Sequence, residues 1–77
     1  MKIYCITENN DLYIGLKLAG CDGITVKEND DIEEKIDEII QNKEIGILVV
    51  SKPIYEEYSE KINYIRLNKK TPLITII

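Results

Sequence analysis

The amino-acid sequence predicts a small doubly wound α/β domain with a mostly parallel sheet. Two continuous apolar runs, Lys2–Thr7 and Ile45–Val50, are apolar at nearly every position, which is typical of strands covered on both faces. Shorter strand-like runs follow at positions 23–26 and 73–77, and helix-like segments separate all four. Four strands alternating with three helices are the pattern of a parallel α/β fold.

The first half of the chain begins with the strand Lys2–Thr7. The polar turn Glu8–Asp11 follows and offers good N-cap residues for a helix over Leu12–Ala19, which Gly20 ends. The strand Gly23–Val26 is short, which indicates the edge of the sheet.

The second helix has the clearest amphipathic pattern. Asn29, Asp30 and Asp31 can cap it, and its acidic residues crowd toward its start, where the helix dipole favours them. Its buried stripe consists of isoleucines spaced at i, i+4, i+7 and i+8, namely Ile32, Ile36, Ile39 and Ile40.

The central strand Ile45–Val50 leads into a third helix with Pro53 in its first turn. We expect its buried stripe to be Ile54, Tyr58, Ile62 and Ile65. After a polar loop, Pro72 precedes a closing strand over Leu73–Ile77.

Chain topology predicts that part of this sheet lacks a cover. Right-handed crossovers and the common strand order, second, first, third, fourth, place the first helix alone on one face. The second and third helices share the opposite face, so the third and fourth strands are bare on the first helix's side. The architecture is a flavodoxin-like three-layer sandwich without its last helix. We expect a C-terminal segment or a partner to cover the strands.

Composition indicates one domain over residues 1–77, expected to be soluble and cytoplasmic. Net charge is −4, no apolar run is long enough to span a bilayer, and no signal peptide precedes the first strand. Cys5 and Cys21 lack metal-ligand spacing, so two reduced thiols are expected, with a disulfide as the alternative. The basic cluster Arg66, Lys69 and Lys70 is short and lacks aromatic neighbours, which disfavours nucleic-acid binding.

The crevice where strand order reverses lacks the sequence motifs of the nucleotide-binding, phosphoacceptor and nucleophilic sites known for this fold. It would lie between Glu8–Asn10 and Ser51–Lys52, with Glu8 able to pair with Lys52. Neither glycine-rich phosphate motif is present, and the third strand ends at Val50 without the carboxylate of a phosphoacceptor domain. The chain has no His to serve as a base. We therefore expect no catalytic residue, no cofactor and no metal.

The first helix carries apolar residues on two sides. Leu12, Leu16 and Ala19 form one stripe, whereas Ile14 and Leu18 project to the opposite side. Either the buried face is wide, or Ile14 and Leu18 contact another protein.

Several short motifs resemble those of the F subunit of V-type and archaeal-type ATP synthases. Ile14–Gly20 is similar to that family's G-[F/L]-x-L-A-G signature, and Ile45–Val50 to its third strand. Ile54, Glu57 and Ile62 roughly match its third helix, and the closing strand after Pro72 is also similar.

The resemblance implies a non-catalytic rotor protein whose partners are the coiled-coil D subunit of the central stalk and the catalytic head of the rotary ATPase, without insertion into the membrane. Family members continue into a C-terminal helical tail, which we expect to be missing here. The predicted partner-binding residues are Glu8, Asn9, Asn10, Ile14, Leu18, Leu73, Thr75 and Ile77. The alternatives are a pseudo-receiver or phosphotransfer domain and a flavodoxin-like fragment with a small-molecule pocket. The isolated chain is also expected to self-associate through its bare strands.

Overall fold

A computed structural model describes residues 1–77 and contains one parallel four-stranded sheet. The strand order is β2-β1-β3-β4, which confirms the predicted doubly wound topology. The strands are β1 (Lys2–Thr7), β2 (Asp22–Thr25), β3 (Ile45–Val50) and β4 (Leu73–Ile76).

Four helices pack around this sheet, because the predicted third helix consists of two consecutive segments. The helices are α1 (Asn10–Leu18), α2 (Ile32–Gln41), α3 (Lys52–Glu57) and α4 (Ser59–Asn68). Tyr58 separates the last two with φ −117° and ψ 30°, outside the helical range. The Ile62 amide nevertheless donates to the Tyr58 carbonyl at 3.0 Å, so α4 follows α3 directly.

Side-chain caps begin the first two helices as the sequence indicates. The Asn9 side chain accepts a hydrogen bond from the Leu12 amide at 3.1 Å, and Asp31 accepts one from the Glu34 amide at 3.1 Å. Each cap satisfies an amide that has no partner within its own helix. Pro53 lies in the first turn of α3.

One face of the sheet is packed by α2, α3 and α4, and it holds the whole buried core. Ile6, Leu48 and Val50 point from the central strands into this layer, and each is at most 1% exposed. The helices contribute isoleucines from the predicted stripes, with Tyr58 only half-buried beside them. The eleven members of this core are Ile6, Val26, Ile32, Ile36, Ile39, Ile45, Leu48, Val50, Ile54, Ile62 and Ile65.

The opposite face is covered by α1 alone. Cys5 lies under this helix and is completely buried, but no residue of α1 is itself buried. The helix therefore rests on the sheet through half-buried side chains, chiefly Leu12, Tyr13 and Leu16. None of the four helices has the length and apolar character needed to cross a bilayer.

Candidate partner-binding surface

The strands β3 and β4 expose an apolar surface on the α1 side of the sheet. Strand register aligns Ile3, Ile47 and Leu73 in one row, and Cys5, Val49 and Thr75 in the next. Side chains alternate between the two faces of a strand, so Ile77 lies on the same side as Thr75. We call the following residues the bare face: Ile3, Ile47, Val49, Leu73, Thr75 and Ile77.

Exposure increases with distance from α1 along the Cys5 row, whereas in the other row Ile3, on β1, is already 42% exposed. In one row Cys5 is fully buried, Val49 is half-buried and Thr75 is exposed. In the other row Leu73, at the edge of the sheet, is 65% exposed. Beyond β4, Ile77 is 48% exposed. The structure therefore confirms the prediction that the third and fourth strands lack a cover on this side.

The width of the bare face matches one α-helix. Neighbouring strands lie about 4.8 Å apart, so β3 and β4 together offer a strip roughly 10 Å wide. Packed helix axes are about 8–10 Å apart, and a helix with its side chains is about 10–12 Å across. One additional helix beside α1 would complete the layer.

The side of α1 that borders the bare face carries its smallest residues. The Lys17 ammonium lies 3.6 Å from the Asp22 carboxylate, which marks the flank of α1 facing β2. At about 100° per residue, Gly15 and Ala19 lie on the other flank. The space around Gly15 is open, with no atom near the position a Cβ would take. A neighbouring helix could therefore approach α1 closely there.

Ile14 and Leu18 lie on the outer side of α1, facing away from the sheet. Leu18 is 85% exposed and Ile14 is also exposed. The inward side chains are instead Leu12 and Leu16, which are half-buried. Both outward residues are thus available to contact another molecule.

The predicted turn Glu8–Asn10 lies at the carboxyl edge of the sheet and is held by side-chain hydrogen bonds. The buried Ser51 hydroxyl donates to Glu8 Oε1 at 2.6 Å, and this bond holds the pKa of Glu8 below its usual value. Thr7 Oγ1 accepts from the Asn9 amide at 3.0 Å. The expected pairing of Glu8 with Lys52 does not form. The ammonium of Lys52 makes no ion pair, since the serine before it takes the carboxylate.

The crevice beside this turn is shallow and small. Val26, Ile54 and Pro53 contribute to its walls, and its volume is about 150 Å³. The largest depression anywhere on the molecule is about 250 Å³, below the usual size of a small-molecule pocket. No three His, Cys, Asp or Glu side chains are arranged to hold a metal ion.

Both cysteines are free thiols, so the disulfide alternative is wrong for this structure. Burial, and secondarily the neighbouring Cys21, raises the pKa of the Cys5 thiol. A raised pKa disfavours the reactive thiolate. The position of Cys5 beneath α1 is that of a structural residue.

The structure adds three residues to the surface that the sequence indicated. The sequence-based prediction for this surface named Leu73, Thr75 and Ile77. The three residues added by the structure are Ile3, Ile47 and Val49. The continuous apolar pattern of β3 hides which of its residues face α1, because a strand buried on both faces shows no alternation. Only the strand register shows which of these residues face α1.

These features define a class: a small doubly wound α/β domain with one complete face and one face open for a further helix. The family model described as ATP synthase (F/14-kDa) subunit matches residues 3–77. The chain belongs to that family, as its motifs indicated. Comparison with curated proteins and with solved structures gives no match. Family membership makes the chain a component of an ATP synthase complex.

Proposed function

We propose that the protein is a non-catalytic central-stalk component of a V-type or archaeal-type rotary ATPase. It binds the coiled-coil stalk protein of that complex and turns with it, which helps couple ATP synthesis or hydrolysis to proton or sodium transport. The observation that carries this proposal is the exposed apolar bare face, in a chain that belongs to the ATP synthase (F/14-kDa) family. Large exposed apolar patches mark sites of protein association.

A two-helix coiled coil fits the surface in a defined way. One helix lies on the bare face, against Leu73 and Ile47, and packs closely against Gly15 on the flank of α1. The second helix crosses the outer side of α1 and contacts Leu18 and Ile14, both of which are exposed. The partner thus engages two surfaces set at an angle to one another.

Contact on two surfaces suits a rotor. A helix bound to a single flat face could roll under torque. A pair of helices that contacts both the flank and the outer side of α1 is held against such rotation. Burying a side chain such as Leu73 contributes about 1.5–3 kcal/mol. We propose that the polar turn Glu8–Asn10 sets the position of the partner along the strands, a role supported by the hydrogen bonds from Asn9 to Thr7 and from Ser51 to Glu8 that hold this turn.

The proposed location follows from the complex rather than from any membrane segment of this chain. The protein lies on the cytoplasmic side, peripheral to the membrane, between the ion-translocating ring and the catalytic head.

Binding of the coiled-coil stalk protein to single-residue variants tests the proposal. Leu73→Glu places a charge on the bare face, and Leu18→Glu places one on the outer side of α1. Each is expected to weaken the affinity measured by calorimetry at least about tenfold, because a carboxylate would be buried without a partner. Leu67→Glu is the matched control, since Leu67 is 85% exposed on α4 and lies away from both surfaces.

Three results would contradict the proposal. One is unchanged affinity in both the Leu73→Glu and Leu18→Glu variants, and another is an equal loss in the Leu67→Glu control. The third is stable labelling of the wild-type chain by a small phosphodonor, which would instead favour the phosphotransfer alternative. Circular dichroism of each variant confirms that the fold is retained.

A further inference from the structure

The outer edge of β4 carries main-chain groups that no strand of this chain uses. The Ile77 amide donates to the Val50 carbonyl at 3.0 Å, and the Ile77 carbonyl accepts from the Lys52 amide at 2.8 Å. In a parallel strand both main-chain groups of one residue point to the same side, and successive residues alternate. Ile74 and Ile76 therefore direct their amides and carbonyls away from β3, toward the open edge.

The two edges of the sheet differ in how they are protected. At the β2 edge, Asp22 receives the ammonium groups of Lys2 and Lys17, at 3.8 and 3.6 Å. Charged side chains of this kind discourage pairing with another strand. The segment Leu73–Ile77 contains no charged residue. The β4 edge is thus the one suited to accept a further strand.

A cluster of positive charge stands beside that edge. Arg66, Lys69 and Lys70 line a depression of about 170 Å³ together with Leu73 and Ile74. All three cations are exposed, and none belongs to an ion pair. They remain unpaired although the chain has a net charge of −4. Their charge complements carboxylates supplied by another molecule.

We propose that the outer edge of β4 binds an extended partner segment in which carboxylate and apolar side chains alternate. The segment pairs through its main chain with Ile74 and Ile76. Its carboxylates lie on the α4 side, against Arg66 and the two lysines, and its apolar side chains lie beside Leu73. Main-chain pairing supplies affinity, and the alternation of side chains supplies selectivity. The site shares Leu73 with the bare face but rests on different groups, namely the outward main-chain groups of β4 and the three cations, and α1 takes no part in it.

A second copy of this chain fits the edge less well. The β4 strand of a second copy would bring the side chains of Leu73–Ile76, none of which is acidic, to the cationic cluster. The basic residues would then keep their charges unneutralised. Charge complementarity favours the acidic segment as the occupant.

The test uses a fluorescein-labelled eight-residue peptide of alternating Glu and Val, compared with one of alternating Lys and Val. Anisotropy is expected to show at least about tenfold tighter binding of the acidic peptide to the full chain. Arg66→Gln/Lys69→Gln/Lys70→Gln should lose about tenfold in affinity. The variant Lys27→Gln/Lys35→Gln/Lys43→Gln removes the same charge elsewhere and should retain wild-type affinity. Amide exchange at Ile74 and Ile76 should slow when the acidic peptide binds.

Three outcomes would overturn this proposal. Equal losses in the two triple variants would show that net charge alone attracts the peptide. Binding without slower exchange at Ile74 and Ile76 would exclude strand pairing. Protection of those amides that grows with protein concentration in the absence of peptide would identify a second copy as the occupant.

Discussion

The two faces of the sheet are built from the same strands but differ in how far their side chains are buried. Leu48 and Val50 point to the side of α2, α3 and α4 and are 1% exposed, whereas Ile47 and Val49, their neighbours in β3, are only half-buried. On the packed face, three helices span four strands; on the other, one helix covers β2 and the carboxyl-terminal part of β1 and leaves Ile3 exposed. The difference shows that a single strand serves both as core and as available surface.

This difference assigns folding stability to the packed face and partner binding to the bare face. The eleven-residue core lies wholly on the packed face. Because that side already encloses its apolar side chains, substitutions on the bare face should change binding and leave folding nearly intact. The following substitutions test this division, in order of decreasing expected effect.

The largest effect is expected from truncating a core leucine. Leu48→Ala should lower the free energy of unfolding by about 3 kcal/mol, since it removes a buried side chain and leaves a cavity. Leu73→Ala, the matched change on the bare face, should stay within about 0.5 kcal/mol of wild type. Urea denaturation measures both, and similar losses in the two variants would show that the bare face contributes to the core.

A smaller effect is expected where α1 covers the sheet. A Cβ at Gly23 would collide with the side chain and backbone of Cys5 in the adjacent strand, so Gly23→Ala should cost about 2 kcal/mol. Gly15→Ala is the control, because Gly15 has open space around it and lies within a helix. That variant should gain up to about 1 kcal/mol. A destabilised Gly15→Ala protein would contradict the open flank described for α1.

The smallest effect concerns the turn at the carboxyl edge of the sheet. The Ser51 hydrogen bond lowers the pKa of Glu8 in the folded protein, so this contribution is complete above the unfolded pKa of about 4.3. The stabilisation by this hydrogen bond is lost as the pH falls through the lower pKa that Glu8 has in the folded protein. Ser51→Ala should cost about 1 kcal/mol at pH 7 and less at pH 3. Unfolding measured at both pH values checks this, and a pH-independent loss would exclude the bond to Glu8 as its source.

Much of the fold could be predicted because its determinants are local patterns and handedness. The β1 and β3 strands have the predicted bounds, and the isoleucine stripe of α2 is buried at Ile32, Ile36 and Ile39. Crossover handedness correctly placed α1 alone on its face. Other bounds moved by one or two residues; α1, for example, begins at Asn10 rather than Leu12.

The remaining features depend on contacts between distant segments. The bond between Ser51 and Glu8 joins residues 43 positions apart, and the sequence pattern favoured the adjacent Lys52 instead. The break between α3 and α4 at Tyr58 has no neighbouring Pro or Gly from which it could be predicted. The role proposed for Arg66 becomes visible only when α4 is placed beside β4. In each case tertiary position, rather than periodicity, supplies the information.

Methyl-detected NMR of this chain bound to the coiled-coil stalk protein tests the central claim most directly. If a helix of the partner lies on the bare face, intermolecular contacts will appear at the methyl groups of Ile47, Val49 and Leu73, and those of Leu48 and Val50 will show none. Contacts confined to the α2 and α4 surfaces, with the bare-face methyl groups unchanged, would contradict the account.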